Sequence, residues 1–233
     1  MDRLKIIDFK LDLPLTKYLR QYRVDLLICL GLAIAIAIST YLGTYAIPSP
    51  ILTDFYAQDV WFGSDIPTVF GNITSLNSDF GRNNKHPLFP LLVFPVVFTL
   101  TKLLHLDPLS AVRVVIVGVA MLWICSLYAL FRIMGCYRLD ATIFSLLGGV
   151  SAASVFWLVT PESFPLGSET IILGLAFVAL TQYRPLAPGW YIAVNIMTVS
   201  ITITNWMVGL LATVVNHRWQ KALQIIVCAL LLA

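Results

Sequence analysis

Residues 48–87 read PSPILTDFYAQDVWFGSDIPTVFGNITSLNSDFGRNNKHP, gathering Asp54, Asp59, Asp65 and Asp79 with Arg82, Lys85 and His86 and with the aromatics Tyr56, Trp61 and Phe62. Residues of these types suit a reaction with a charged leaving group. A carboxylate can act as general base on a hydroxyl, and cations beside it can stabilise a departing phosphate. Tyr56, Trp61 and Phe62 could stack on a sugar ring or anchor the segment at a membrane interface. Read singly, each carboxylate is equally a solvated loop charge, Lys85 a snorkelling side chain and His86 a helix cap. A second acidic feature lies further on, where Glu162 follows Pro161 and Glu169 comes about two turns later. Carboxylates this close to apolar runs are costly and face a cavity or a partner, unless they serve to cap a helix N-terminus. Asn205 and Trp206 add a buried amide that could line the same cavity. Asn72-Ile73-Thr74 is a sequon of a kind frequent by chance.

The elements that must position these groups are set by composition. Of the 233 residues 59% are hydrophobic and only 12% charged, and the mean hydropathy is +0.86, whereas a soluble domain carries about 25% charged residues. Most of this surface therefore faces lipid. The net charge of +3 comes with no basic stripe interleaved with aromatics, which excludes nucleic acid as an expected partner. The four cysteines form no C-x-x-C pair and no Cys/His cluster, so neither a disulfide framework nor a zinc site is expected. Apolar runs fall at 24–47, 88–104, 111–134, 141–160, 168–181, 190–215 and 223–233. About 20 residues span a bilayer, so 24–47, 111–134 and 141–160 are expected to be spanning helices. The run 88–104 is short and carries Pro90 and Pro95, while 190–215 fits one tilted helix or two short arms meeting near Thr204 and Asn205.

Charge sets the orientation. Arg3, Lys5, Lys10, Lys17, Arg20 and Arg23 mark residues 1–23 as a cytoplasmic basic segment, interfacial in character. Residues 48–110 then form an outer loop if 88–104 is juxtamembrane or re-entrant. That scheme puts Arg132, Arg138 and Arg184 inside and Glu162 outside, and a hairpin within 190–215 returns His217, Arg218 and Lys221 to the cytoplasm with Asn205 at the outer turn. The expected fold class is all-α: a polytopic transmembrane helix bundle over 24–233 with a long first outer loop carrying juxtamembrane or re-entrant helices. The apolar half-span at 223–233 reads as the front part of a longer polypeptide.

A first helix, an acidic outer loop, K-H-P-L-F-P-L-L from Lys85, Arg113 in the next helix, a basic turn and P-E-S-F from Pro161 resemble, in order and spacing over roughly 24–181, the N-terminal part of the GT-C integral membrane glycosyltransferases. These polyprenyl-phosphate-sugar-dependent enzymes include the protein O-mannosyltransferases and the lipid A aminoarabinose transferase. The resemblance implies a catalytic Asp in the first outer loop, commonly in an Asp-Glu pair. Here Asp54 is followed by Phe55 and the loop has no such pair. Asp65, in F-G-S-D-I-P, resembles an Asp motif that precedes His-Pro-Leu in some relatives and ranks first, Asp54 second for its closeness to the helix, and Asp59 third. Lys85 and His86, with Arg82, would face the lipid phosphate. Tyr56 and Trp61 would contact substrate, and Glu162 would complete the site by binding substrate or a divalent cation.

The implied partners are a polyprenyl-phosphate-linked sugar, an acceptor glycan, lipid or protein, and the bilayer itself. The implied location is a bacterial plasma membrane, as a multi-pass protein of the cell envelope. The competing readings are a membrane transporter or lipid flippase, which needs ionisable groups near the middle of its spans, and a non-catalytic membrane assembly subunit.

Overall fold

The computed structural model describes residues 15–53, 64–78 and 85–232, and among them every regular element is helical. Asp54, Asp59, Asp79, Tyr56, Trp61 and Arg82 lie outside the described residues, as does the basic segment before residue 15. Three helices are long and apolar enough to cross a membrane: Arg20–Thr44 within α1 (Leu15–Thr44), α5 (Pro108–Ile133) and α8 (Ser163–Thr181). Their outward faces carry bare aliphatic side chains, such as Leu27 at 66% and Leu42 at 65% exposure. Burying such side chains is worth about 1.5–3 kcal/mol each, so these faces suit lipid rather than water.

The basic residues at 17, 20 and 23 belong to the same helix as the apolar run, since α1 is continuous from Leu15. α5 is well delimited at both ends. Pro108 opens it behind Asp107, whose side chain accepts the Ser110 N–H at 3.1 Å. Hydrogen bonds from the Ser110 side chain and backbone hold the Asp107 carboxyl below its ordinary range. At the other end Gly135 has φ +93°, its N–H donates to Arg132 O, and the Cys136 N–H donates to Phe131 O. That pairing is a Schellman closure, which needs a left-handed residue. A Cβ in this backbone region costs about 1–2 kcal/mol, so Gly135→Ala is expected to lower stability by that amount, read as a reduced thermal midpoint in detergent. A Cβ there meets nothing within 4 Å, so the loss is one of backbone strain alone.

α1 and α5 run antiparallel. At one end, called the basic end, Asp25 of α1 pairs with Arg132 Nε of α5 at 2.7 Å and with Arg138 Nη2 at 2.9 Å. At the opposite, acidic end the Arg113 guanidinium lies 4.0 Å from the centroid of the Tyr45 ring. The chain between α1 and α5 thus leaves and returns at the acidic end. It includes α2 (Ser49–Thr53), α3 (Ile66–Thr74) and α4 (Phe89–Leu103), and Val69, Ile73, Phe89, Val93 and Val97 join Val112 and Ile116 of α5 in one buried cluster. α4 has 15 residues, about 22 Å of rise.

The run 141–160 is broken into α6 (Arg138–Gly149) and α7 (Ala152–Trp157), contrary to the expectation of one spanning helix. Gly148 and Gly149 end the first piece, and Ser151 caps the second by accepting the Ser154 N–H. Conversely, α8 starts at Ser163, five residues before its apolar run, and supplies the third long helix. α9 (Pro188–Ile201), a 3-10 turn over Ile203–Asn205 and α10 (Trp206–Asn216) form the expected hairpin, with Asn205 at its tip. Asn195, fully buried, holds the arms together: its Nδ2 donates to Tyr191 O, Gly209 O and Thr213 Oγ1, and its Oδ1 accepts from Trp206 Nε1. Gly209 permits this contact, because a Cβ there would lie 2.9 Å from Asn195 Cα. α11 (Trp219–Leu232) packs on α9 through buried Ala222, Ile225 and Ala229.

Candidate active site at the acidic end

Glu162 is the residue on which the site converges. It stands at the N-cap of α8, 7% exposed, in an extended conformation after Pro161. Its Oε2 accepts the Ser163 N–H at 3.0 Å, the capping role that a carboxylate at a helix N-terminus favours. Its Oε1 accepts the Asp65 N–H at 2.7 Å, a bond joining residues 97 positions apart. Asp65 sits at the N-cap of α3 with Pro67 behind it, and its own side chain does not cap that helix. Glu162 therefore fixes the backbone of Asp65 and leaves the half-buried Asp65 carboxyl outside the helix cap.

The segment from Lys85 to Leu88 is braced against the end of α9. The Leu88 N–H donates to Ser200 O and the Ile203 N–H to Lys85 O. Between these two bonds His86 Nδ1 lies 3.0 Å from Ile201 O and 3.1 Å from Thr202 Oγ1. A carbonyl only accepts, so Nδ1 carries the proton toward Ile201. Nε2 then faces Ser163 Oγ at 3.5 Å, a long contact that makes His86 a neighbour of the Glu162 cap. The Lys85 side chain is exposed.

Of the residues singled out in the sequence, the fold thus brings Asp65, His86 and Glu162 together, with Lys85 at the margin. Ser163 and Thr202 complete the constellation. Ser163 stands inside the P-E-S-F motif, and Thr202 opens the polar T-I-T-N interruption of a long apolar run. Among the described residues no three His, Cys, Asp or Glu side chains gather as a metal site would require.

Two spaces flank the site. Behind Glu162, against Ile73, Phe89 and Val112, lies a pocket of about 30 Å³, the share of a single water. A second cavity of about 400 Å³ shares Thr202 with the His86 contact and is lined by Trp157, Phe164, Ser168, Thr204 and Asn205. Trp157 and Phe164 rings lie 4.6 Å apart at its edge. Asn205 Nδ2 donates to Gly167 O at 2.8 Å, leaving its Oδ1 able to accept. Aromatic rings with neutral hydrogen-bonding groups and no charge suit an uncharged, hydroxyl-bearing ligand.

Glu169 does not join this site. It is seven residues further along α8, 1% exposed, with Oε1 accepting from Ser126 Oγ at 2.7 Å and Oε2 without a partner among the described residues.

No protein-family model matches the chain, and no curated protein or solved structure matches it either.

Proposed function

We propose that the protein is a polytopic membrane glycosyltransferase that moves a sugar from a polyprenyl-phosphate donor to an acceptor hydroxyl at the outer face of the membrane. The observation that supports this reading best is the joining of Asp65 to Glu162, with His86 beside the same cap. In this mechanism the Asp65 carboxylate takes the proton of the acceptor hydroxyl. The freed oxygen attacks the anomeric carbon, the bond from that carbon to the phosphate oxygen breaks, and the polyprenyl phosphate leaves with the electron pair. Inversion at the anomeric carbon follows from attack opposite the leaving group. Lys85 stabilises the departing phosphate, as would Arg82, and His86 would add a donor only with a second proton on Nε2. Glu162 is a positioning residue that acts through the Asp65 backbone. The cavity beside Thr202 offers room and chemistry for a glycosyl ring.

The helix arrangement supports the matching topology. The antiparallel α1 and α5 with paired ends support a scheme in which α4 is a juxtamembrane or re-entrant helix and the segment from α2 to α4 lies on one side. Basic residues at the basic end support a cytoplasmic side for that end, and the glycosyltransferase reading carries with it a bacterial plasma membrane.

The test is a screen of labelled polyprenyl-phosphate sugars with the full chain in vesicles. Transfer of label to an acceptor lipid, glycan or protein is expected with one donor class. Asp54→Asn is expected to leave most of that transfer in place, and its abolition by Asp54→Asn with retention in Asp65→Asn would move the base to the other carboxylate.

A further inference from the structure

The T-I-T-N interruption at 202–205 folds α9 back into α10 and brings Thr202, Thr204 and Asn205 to the wall of one cavity with Ser168, Trp157 and Phe164. Its volume of about 400 Å³ falls within the range of small-ligand sites, about 300–1,000 Å³. The hydrogen-bonding groups on this wall have defined roles. Both N–H of Asn205 Nδ2 are committed, to Gly167 O at 2.8 Å and to Thr170 Oγ1 at 3.3 Å, so its Oδ1 is left to accept. Ser168 Oγ donates to Pro165 O at 3.0 Å and is likewise left to accept. The exposed Thr204 hydroxyl makes no hydrogen bond among the described residues and can do either.

Acceptors facing a cavity call for a ligand that brings donors. An acyl chain or an ester brings none. An ammonium or a carboxylate would bring charge, and none of the residues lining the cavity is ionisable. A charge moved there without a partner is costly. Trp157 and Phe164, with ring centroids 4.6 Å apart, add the apolar surface that the C–H face of a sugar ring matches. We propose that this cavity binds an uncharged sugar ring and that it selects neutral sugars against their amino and acid counterparts. The selectivity rests on the glycosyl-transfer reading, and the ring belongs to the donor or to the acceptor, whose hydroxyls offer the same chemistry. Thr202 ties the cavity to the candidate site, since its Oγ1 lies 3.1 Å from His86 Nδ1.

The test uses the full chain in nanodiscs of zwitterionic phospholipid, with titration calorimetry against empty nanodiscs. The neutral probes are the butyl glycosides of glucose, mannose and galactose. Butyl glucosaminide and butyl glucuronide carry charge, and butyl tetrahydropyranyl ether has the ring without its hydroxyls. One neutral glycoside is expected to bind at least about tenfold more tightly than the charged probes and the bare ring, because a site built to bond hydroxyls rejects a ligand lacking them and an unpaired charge is costly to bury. Thr204→Val is expected to weaken that binding about threefold to tenfold, the share of one hydrogen bond, and Trp157→Ala by at least as much. Thr204→Glu supplies the missing countercharge and is expected to make the glucosaminide bind more tightly than the glucoside. Thr204 is exposed at the hairpin tip, so its variants decide even where Trp157→Ala loses its thermal transition. Equal affinity for all probes would overturn the proposal, as would Thr204→Val and Thr204→Glu variants that bind like the unaltered chain. In the transfer assay Thr204→Val should raise KM for the donor if the ring is the donor's and for the acceptor if it is the acceptor's, and a change in neither would overturn the proposed selectivity. Binding of a neutral glycoside without transfer from any donor class keeps the sugar cavity and removes the glycosyl-transfer reading. Transfer that prefers an amino or acid sugar removes the selectivity and keeps that reading.

Discussion

Asp65→Asn is expected to lower sugar transfer by about 10²–10⁴-fold, the range that a general base contributes, while the variant still inserts and folds. The stability expectation follows from geometry. The bond to Glu162 is made by the Asp65 backbone N–H, which asparagine retains, and the Asp65 side chain caps nothing in α3. The loss should fall on kcat with KM little changed, because the base acts in the transition state. Glu162 gives the discriminating comparison. Glu162→Gln keeps one acceptor oxygen but sets an amide N–H₂ against one of two backbone donors, Asp65 N–H or Ser163 N–H. It should therefore cost less transfer than Asp65→Asn. Single-turnover transfer of labelled donor measures both. If Asp65→Asn retains full transfer, Asp65 is not the base, whatever Glu162→Gln does.

The site and the fold were legible to different degrees, for reasons that specific residues show. The hairpin from α9 to α10 is readable because T-I-T-N at 202–205 interrupts an apolar run long enough to be folded back. The return of the chain to one end between α1 and α5 is readable because Arg132 and Arg138 would otherwise stand on the side opposite the basic N-terminus. By contrast, the break between α6 and α7 is hidden. Glycine pairs are tolerated inside membrane helices, and the backbone leaves the helix only at Ser151, extended at φ −60° and ψ 147°, where its side chain caps α7. The early start of α8 is hidden as well, since Ser163, Gly167 and Ser168 look like loop residues until Asn205 is seen against Gly167. The acidic character of the site was visible residue by residue, but the partner of Glu162 was not. A backbone N–H is the same at every position, so nothing in the sequence points to Asp65 as the group Glu162 holds. Glu169 was visible only as a costly carboxyl, and Ser126, its partner on α5, carries no signal of its own.

The basic end carries the largest expected effect on stability. Asp25 answers three residues: its Oδ1 accepts from Arg132 Nε and Tyr128 Oη, and its Oδ2 from Arg138 Nε and Nη2. The Asp25 side chain is 13% exposed and that of Arg132 20%, so removing the carboxylate strands a largely buried guanidinium. Breaking such a pair costs about 3–5 kcal/mol. Arg138, at 46% exposure, keeps its hydration and adds little. Asp25→Ala is therefore expected to cost about 3 kcal/mol, the lower end of that range, measured as a reduced unfolding midpoint in detergent. Asp25→Asn should cost less, because the amide oxygen still accepts from one arginine. Arg132 also donates to Cys136 O in the turn that Gly135 closes, so the loss should reach the α5–α6 connection and not α1 alone. Exchanging the charges, with Asp25→Arg and Arg132→Asp combined, should restore part of the stability that either change alone removes. That restoration would be absent if α1 and α5 met in any other register or direction. Their pairing is also what places both ends of the segment from α2 to α4 on one side. Cysteine introduced at position 138 should accordingly resist a membrane-impermeant reagent applied from outside, as should one at position 20, and labelling of 138 but not 20 would mean that α4 crosses.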